Sequence, residues 1–286
     1  MTLKHVLFAV FVVGGSAWIA QAQLPGGLGR IKDRAKPATD RAEKAKETFA
    51  TWSPEEEQQI GEAAAAKMIA VFPLLDSDSV NNYVNLVGNT VAQFASRPIP
   101  YRFAVLDTDM VGAFGIPGGF IFVTKGALYG MKNESELAGA LGHEIIHVSE
   151  RHLESEIRGS KTSSWAVQEG KAVKTPSGLG ADQLRQKTEA LVKDLFDMKF
   201  SRDKEDGADQ RGSMLAAQAG YAPGGLMHFL MTLKASSNSP KATKAFGQLL
   251  STHPPLDDRI AKLRPWVDSN KKKGETLEKR FQQGIQ

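Results

Sequence analysis

A chain of 286 residues, 41% hydrophobic and 24% charged, is long enough to bury a sizeable core and has the make-up of an ordinary globular protein. The net charge of +4 sits at the ends, where residues 30–50 carry seven Lys/Arg against four Asp/Glu and residues 271–286 carry five against two; no basic, aromatic-interleaved face remains for nucleic acid, and no such partner is expected. With no cysteine, disulfides, thiolate metal ligands and a lipid-modified N-terminal cysteine are excluded.

Residues 1–22 have the form of a secretory signal. Lys4 and His5 give a short positive start, Val6 to Val13 an apolar run, and Ala20-Gln21-Ala22 the small residues of a cleavage site before Gln23. A retained anchor is the rival, opposed by the short apolar stretch and its interruption at Gly14-Gly15-Ser16. Export without disulfides suits a periplasmic location. Residues 23–52, Gly/Pro-rich and then charged, read as a linker or loose segment. The basic residues here and in 269–286, a basic polar tail, are either solvated or make peripheral contact with anionic lipid or an acidic partner.

The folded domain is expected over 53–268. Ser53-Pro54-Glu55-Glu56 combines an N-cap, a first-turn proline and a capping-box glutamate, and predicts a helix to about Val71. A second helix begins near Asp78, with Val80, Tyr83, Val84, Val87, Val91 and Phe94 at helical spacing. The period then changes: Tyr101–Leu106 and Gly119–Thr124 read as strands, and Gly112–Gly119 between them as a tight turn beside an exposed strand edge. Asn133 and Glu136 signal another helix start, with Leu137, Leu141, Ile145 and Val148 as its buried stripe. Residues 159–181 break the order; later helices are expected around Leu226–Ala235 and Leu256–Trp266. The fold class is α+β, mostly helical with a small sheet.

Within the helix after Asn133 lies His143-Glu144-Ile145-Ile146-His147. Two histidines four apart project from one helix face, so both imidazoles can grip a single metal ion. The glutamate between them lies where it can take a proton from a metal-bound water. Catalytic zinc needs three protein ligands and one open position, and the third should come from a separate helix. Downstream, Glu205 and Asp209 stand four apart in the carboxylate-rich segment Ser201–Asp209. One could bind metal and the other accept a hydrogen bond from a ligand imidazole; a solvated acidic turn is the plain alternative.

Taken together, His143–Val148, Glu205-Asp206-Gly207-Ala208-Asp209 and Ile116-Pro117-Gly118-Gly119-Phe120-Ile121-Phe122-Val123 resemble the gluzincin zinc peptidases of the HtpX, BepA and CAAX-protease type, in their soluble periplasmic branch. The resemblance runs from about Ser53 to Trp266. It implies a zincin-like domain binding one Zn2+ through His143, His147 and Glu205, with Glu144 as general base and Asp209 orienting His143. It further implies an exported endopeptidase acting on misfolded or unassembled envelope proteins, with outer-membrane assembly machinery as a possible partner. Where the family has Asn-Ala-Phe before the proline-glycine turn, this chain has Gly112-Ala113-Phe114, so the asparagine side chain's contact is missing.

An unfolded polypeptide substrate is expected to add to a strand edge near Gly119–Thr124, because backbone pairing recognises extended chains with little sequence preference. His152, five residues past His147, falls about 140° round a continuous helix, so it is not expected to join the same metal and reads as structural or as a support behind a ligand; His228, among apolar neighbours, reads as a packing or surface residue. His253, in the rigid Ser251-Thr252-His253-Pro254-Pro255 loop, is a catalytic candidate that would stabilise an oxyanion, fill the open metal position, or merely pack. Residues 159–181, with Trp165, have the composition of a lid. Two other functions compete with the peptidase: a chaperone or assembly factor using the same cleft with little cleavage, and a non-catalytic zinc-stabilised domain with four protein ligands.

Overall fold

The computed structural model describes residues 52–159, 199–236, 253–271 and 273–286. The signal, nearly all of the 23–52 segment, and the 160–181 stretch with Trp165 lie outside the described residues. Helix α1 (Pro54–Val71) starts at the capping box, where Ser53 Oγ accepts from the Glu56 N–H at 3.1 Å and Glu56 Oε2 accepts from the Ser53 N–H at 3.0 Å. Helix α2 (Asp78–Ala92), capped by Ser77, buries Val80, Val84, Val87 and Val91 along one face.

Three strands follow: β1 (Arg102–Leu106), β2 (Ala113–Ile116) and β3 (Phe120–Thr124), in the order β1-β3-β2. β3 runs parallel to β1 and antiparallel to β2, with Phe114 opposite Phe122. Half of the stretch expected as a turn is therefore strand, and the turn shrinks to Pro117-Gly118-Gly119. Gly118 and Gly119 take φ of 78° and 91°, which favours glycine, and a Cβ on Gly119 would stand 2.2 Å from the Pro100 carbonyl oxygen. This moves the edge as well. The Gly119–Thr124 strand, expected to receive substrate, is the central one, with both of its sides already paired; the edge strands are β1 and β2. Alternation sends Phe103, Val105, Ile121 and Val123 into a large core with α2 and the later helices. The opposite faces, Leu106, Phe114, Ile116 and Phe122, meet Ile60, Ala64 and Met68 of α1 in a smaller core.

After the short α3 (Lys125–Gly130), α4 (Glu134–Ser149) begins at Asn133, whose Oδ1 accepts from the Glu136 N–H at 3.2 Å. All of α4's residues are buried, not only the expected stripe. It runs through the middle of the domain, packed by α2, β2, α6 (Arg202–Gln218) and α7 (Gly225–Ser236). α5 (His152–Gly159) precedes α6, and α8 (Leu256–Asn270) lies on α6 and α7. The 269–286 segment, expected as a polar tail, contains a further helix, α9 (Glu278–Gly284), with Phe281 fully buried against Tyr83. No helix among the described residues is long and apolar enough to cross a membrane.

Candidate metal centre

The site forms where α4 crosses α6. Gly142 and Gly212 meet at the crossing, and a Cβ on Gly212 would lie 2.5 Å from the His143 backbone nitrogen. With no side chain in the way, the helices approach closely enough for Glu205 and Asp209, both on one face of α6, to reach the histidines of α4. His143 Nε2 and His147 Nε2 stand 3.0 Å apart. Glu205 Oε2 is 3.9 Å from His143 Nε2, and Glu205 Oε1 is 3.6 Å from His147 Nε2. His143 Nδ1, on the far side of its ring, lies 2.8 Å from Asp209 Oδ1. The loop before α8 adds His253, whose Nδ1 is 2.6 Å from Glu205 Oε2. His143, His147, Glu205, Asp209 and His253 thus converge, and His143, Glu205 and His253 bring ligand atoms within 4.8 Å of one another.

Burial and charge set the site's proton affinities. Burial pushes the Glu144 carboxyl above its usual value despite the nearby imidazoles. Burial opposes the charged form of His143, yet its hydrogen bond to Asp209 and that carboxylate's charge raise its pKa. His147 is held well below the usual imidazole value by burial and by the other histidines. Burial also disfavours the charged forms of Glu205 and Asp209, but His253 and His143 beside the first, and Arg259 beside the second, lower both pKa values. Burial thus works against the ionised form of Glu144, while at Glu205 and Asp209 the neighbouring cationic groups outweigh it.

Arg259 is a residue the sequence did not single out. It is buried, and its Nε and Nη2 donate to Asp209 Oδ2 and Oδ1 at 2.8 and 2.6 Å. The only signal was its place on the helix opening just after His253. The backbone of Gly115 in β2 donates to the Glu144 carboxylate, so the edge strand itself lies against the candidate base; a Cβ at Gly115 would press within 3.2 Å of Glu144 Oε2. His228 is exposed on α7. His152 is nearer than a continuous helix would place it, because α4 ends at Ser149 and Arg151 takes a φ of 54°. Its Nδ1 comes within 3.1 Å of His147 Nδ1.

The donors fit a metal ion. Glu205 Oε1 is buried with no hydrogen-bond partner among the described residues, a costly state for a carboxylate oxygen unless a cation meets it. A helix carrying two histidines and an intervening glutamate, completed by a carboxylate from a second helix and faced by an edge strand, is the arrangement of a metallopeptidase. Its relatives narrow the class. The chain belongs to peptidase family M48, whose model, described as "Peptidase family M48", matches residues 78–267. It is 30% identical over 218 residues to Metalloprotease YcaL of Escherichia coli (strain K12), covering 73% of this chain and 82% of that one. It is 27% identical over 219 residues to the Beta-barrel assembly-enhancing protease of Yersinia pestis, covering 75% of this chain and 44% of that one. Mitochondrial metalloendopeptidase OMA1 of Schizosaccharomyces pombe is 32% identical over 186 residues, or 65% of this chain and 52% of its own. The chain thus spans less than half the length of the assembly-enhancing relative.

Proposed function

We propose that this chain is an exported zinc-dependent endopeptidase, with His143, His147 and Glu205 as the metal ligands and Glu144 as general base. The observation that carries the reading is the convergence of two imidazole nitrogens and an unpartnered buried carboxylate oxygen beside the buried Glu144 carboxylate. Two imidazoles and one carboxylate suit zinc. Bound zinc supplies a Lewis acid and a water of lowered pKa. Glu144 accepts the proton of the attacking water and delivers it to the leaving amine; its raised proton affinity suits a group that must hold that proton between the two steps. Asp209, clamped by Arg259, holds the His143 ring by its Nδ1. An extended substrate lies along β2, an edge strand beside Glu144, and this suits unfolded chains of many sequences.

His253 closes the site at rest. Its Nδ1 is bonded to Glu205 Oε2 and its ring stands 5.5 Å from the His143 ring, where it would compete with water for a bound metal. His253→Ala is therefore expected to raise cleavage of an unfolded protein; a fall would assign it to the oxyanion instead, and no change to packing alone.

The substrates in this reading are misfolded or unassembled envelope proteins in the periplasm, with the signal-like residues 1–22 directing export. The relatives named for β-barrel assembly support that setting. They also favour a second reading, in which the cleft holds clients during assembly with little cleavage. Purified zinc-loaded protein should cut a denatured outer-membrane protein and spare its folded form. A chelator should stop cleavage and added zinc restore it. Intact substrate in every case would leave only the holding function.

A further inference from the structure

Two chains of polar contacts run outward from the paired histidines, and one takes an unexpected route. From His143 the path is direct: Nδ1 to Asp209, and Asp209 to both nitrogens of the Arg259 fork. From His147 it passes through another imidazole. His147 Nδ1 lies 3.1 Å from His152 Nδ1, and His152 Nε2 lies 3.1 Å from Glu150 Oε2. Glu150 is in turn gripped by Arg211, Nε to Oε1 at 2.6 Å and Nη2 to Oε2 at 2.6 Å. Each histidine is thus backed by a carboxylate that an arginine holds through both oxygens. Only on the His147 side is a second imidazole interposed.

The direction of these bonds follows from what each group can donate. An ionised carboxylate only accepts, so the proton of the neutral His152 ring sits on Nε2 and its Nδ1 presents a bare lone pair. His147 Nδ1, facing that lone pair, carries the proton. His147 Nε2 is then bare, on the side where His143 Nε2 and Glu205 Oε1 converge. Both rings are buried, with the Phe200 ring 4.2 Å from that of His147 and 6.3 Å from that of His152. The backbone is bent to make this contact: Arg151 adopts a left-handed φ of 54°, unfavourable for a residue with a Cβ, and the bend returns His152 to His147.

We propose that His152 is a positioning residue for the metal centre, selecting the His147 tautomer that offers Nε2 to the cation, while Glu150 and Arg211 fix His152 itself. The inference rests on the reading of His147 as a metal ligand. Ligand histidines commonly give their second N–H to a carboxylate or carbonyl, and losing that partner weakens metal binding about 10–100-fold. Here an imidazole fills that place.

The test measures zinc affinity by competition with a chromogenic chelator, on the full chain, for wild type, His147→Ala, His152→Phe and His152→Gln. Circular dichroism and thermal melts of the metal-free proteins report folding. His152→Phe keeps the ring's bulk beside Phe200 but cannot accept a bond, and should bind zinc about 10–100-fold more weakly at an unchanged metal-free melting temperature. His152→Gln returns an acceptor oxygen and should recover most of that loss. Wild-type affinity in His152→Phe, or equal weakening in both variants, overturns the proposal. If His152→Phe does not fold, the glutamine variant's affinity decides, together with 15N spectra of the wild-type imidazoles. A glutamine variant binding near wild type, with the His152 proton on Nε2, supports the relay; that proton on Nδ1 overturns it. If His147→Ala binds zinc as wild type does, it is the ligand assignment that fails, a result separate from any His152 effect.

Discussion

Arg259 shows how much of a metal centre lies outside its motif. The spacing of His143, Glu144 and His147 is legible because a helix turns a four-residue gap into a shared face. Glu205 and Asp209 are legible for the same reason, once a third ligand is sought. No periodicity marks Arg259, since a lone arginine on an amphipathic helix ordinarily faces water. Burial gives it its importance. Replacing it with leucine strands the Asp209 carboxylate in the interior and should cost about 3–5 kcal/mol of stability by urea denaturation. Arg259→Lys should recover only part of this, because an ammonium cannot make the two-pronged contact. If the leucine variant is as stable as wild type, Asp209 does not depend on this clamp.

At the scale of elements, glycine decides the architecture. The crossing of α4 and α6 is a contact between Gly142 and Gly212, and it sets the distance from the histidines to Glu205. Gly212→Ala would press a methyl against the His143 backbone and should cost about 1–3 kcal/mol as an overpacking change, with weaker zinc binding because the proposed ligands separate. Gly130→Ala, on a helix where nothing lies within 4 Å of the added carbon, is the matched control and should melt like wild type. Equal melting temperatures and zinc affinities for both variants would contradict the role given to the crossing. Glycine also concealed β2. Ala113 and Gly115 are poor strand formers, and the segment reads as a turn until β3 is seen to pair with it. Its identity as a strand comes from tertiary pairing, which local propensity does not record. His152 is expected outside the ligand set, in a structural or supporting place, but helix geometry extrapolated past Ser149 does not foresee the bend at Arg151 that brings it to His147.

At the scale of the whole molecule, the C-terminal segment locks onto the start of the central helix. Glu134, fully buried at the head of α4, accepts from Tyr83 Oη at 2.7 Å, Tyr221 Oη at 2.8 Å and Arg280 Nε at 2.6 Å. Five basic residues made 269–286 look like a solvated tail, but Leu277, Phe281 and Ile285 recur every fourth position, a helical stripe too short to stand out among the charges. Phe281→Ala should cost about 3–5 kcal/mol in thermal or urea denaturation; a neutral effect would return the segment to the status of a tail. Glu134 also ties stability to pH. Burial alone would raise its pKa, but Arg280 and the two tyrosines lower it below the usual 4.5. Its contribution is therefore complete above that pH and is lost as pH falls through the lower, folded-state value. Glu134→Gln should flatten the loss of stability in that acid range, and an unchanged pH profile would show that the cluster contributes nothing to it. The locked frame holds α4 in place, and what α4 carries is the proposed peptidase chemistry. The most direct test compares wild type with Glu144→Gln on one denatured substrate, with zinc content measured for each. The account predicts equal zinc and a loss of cleavage in the variant; equal cleavage by both proteins would contradict it.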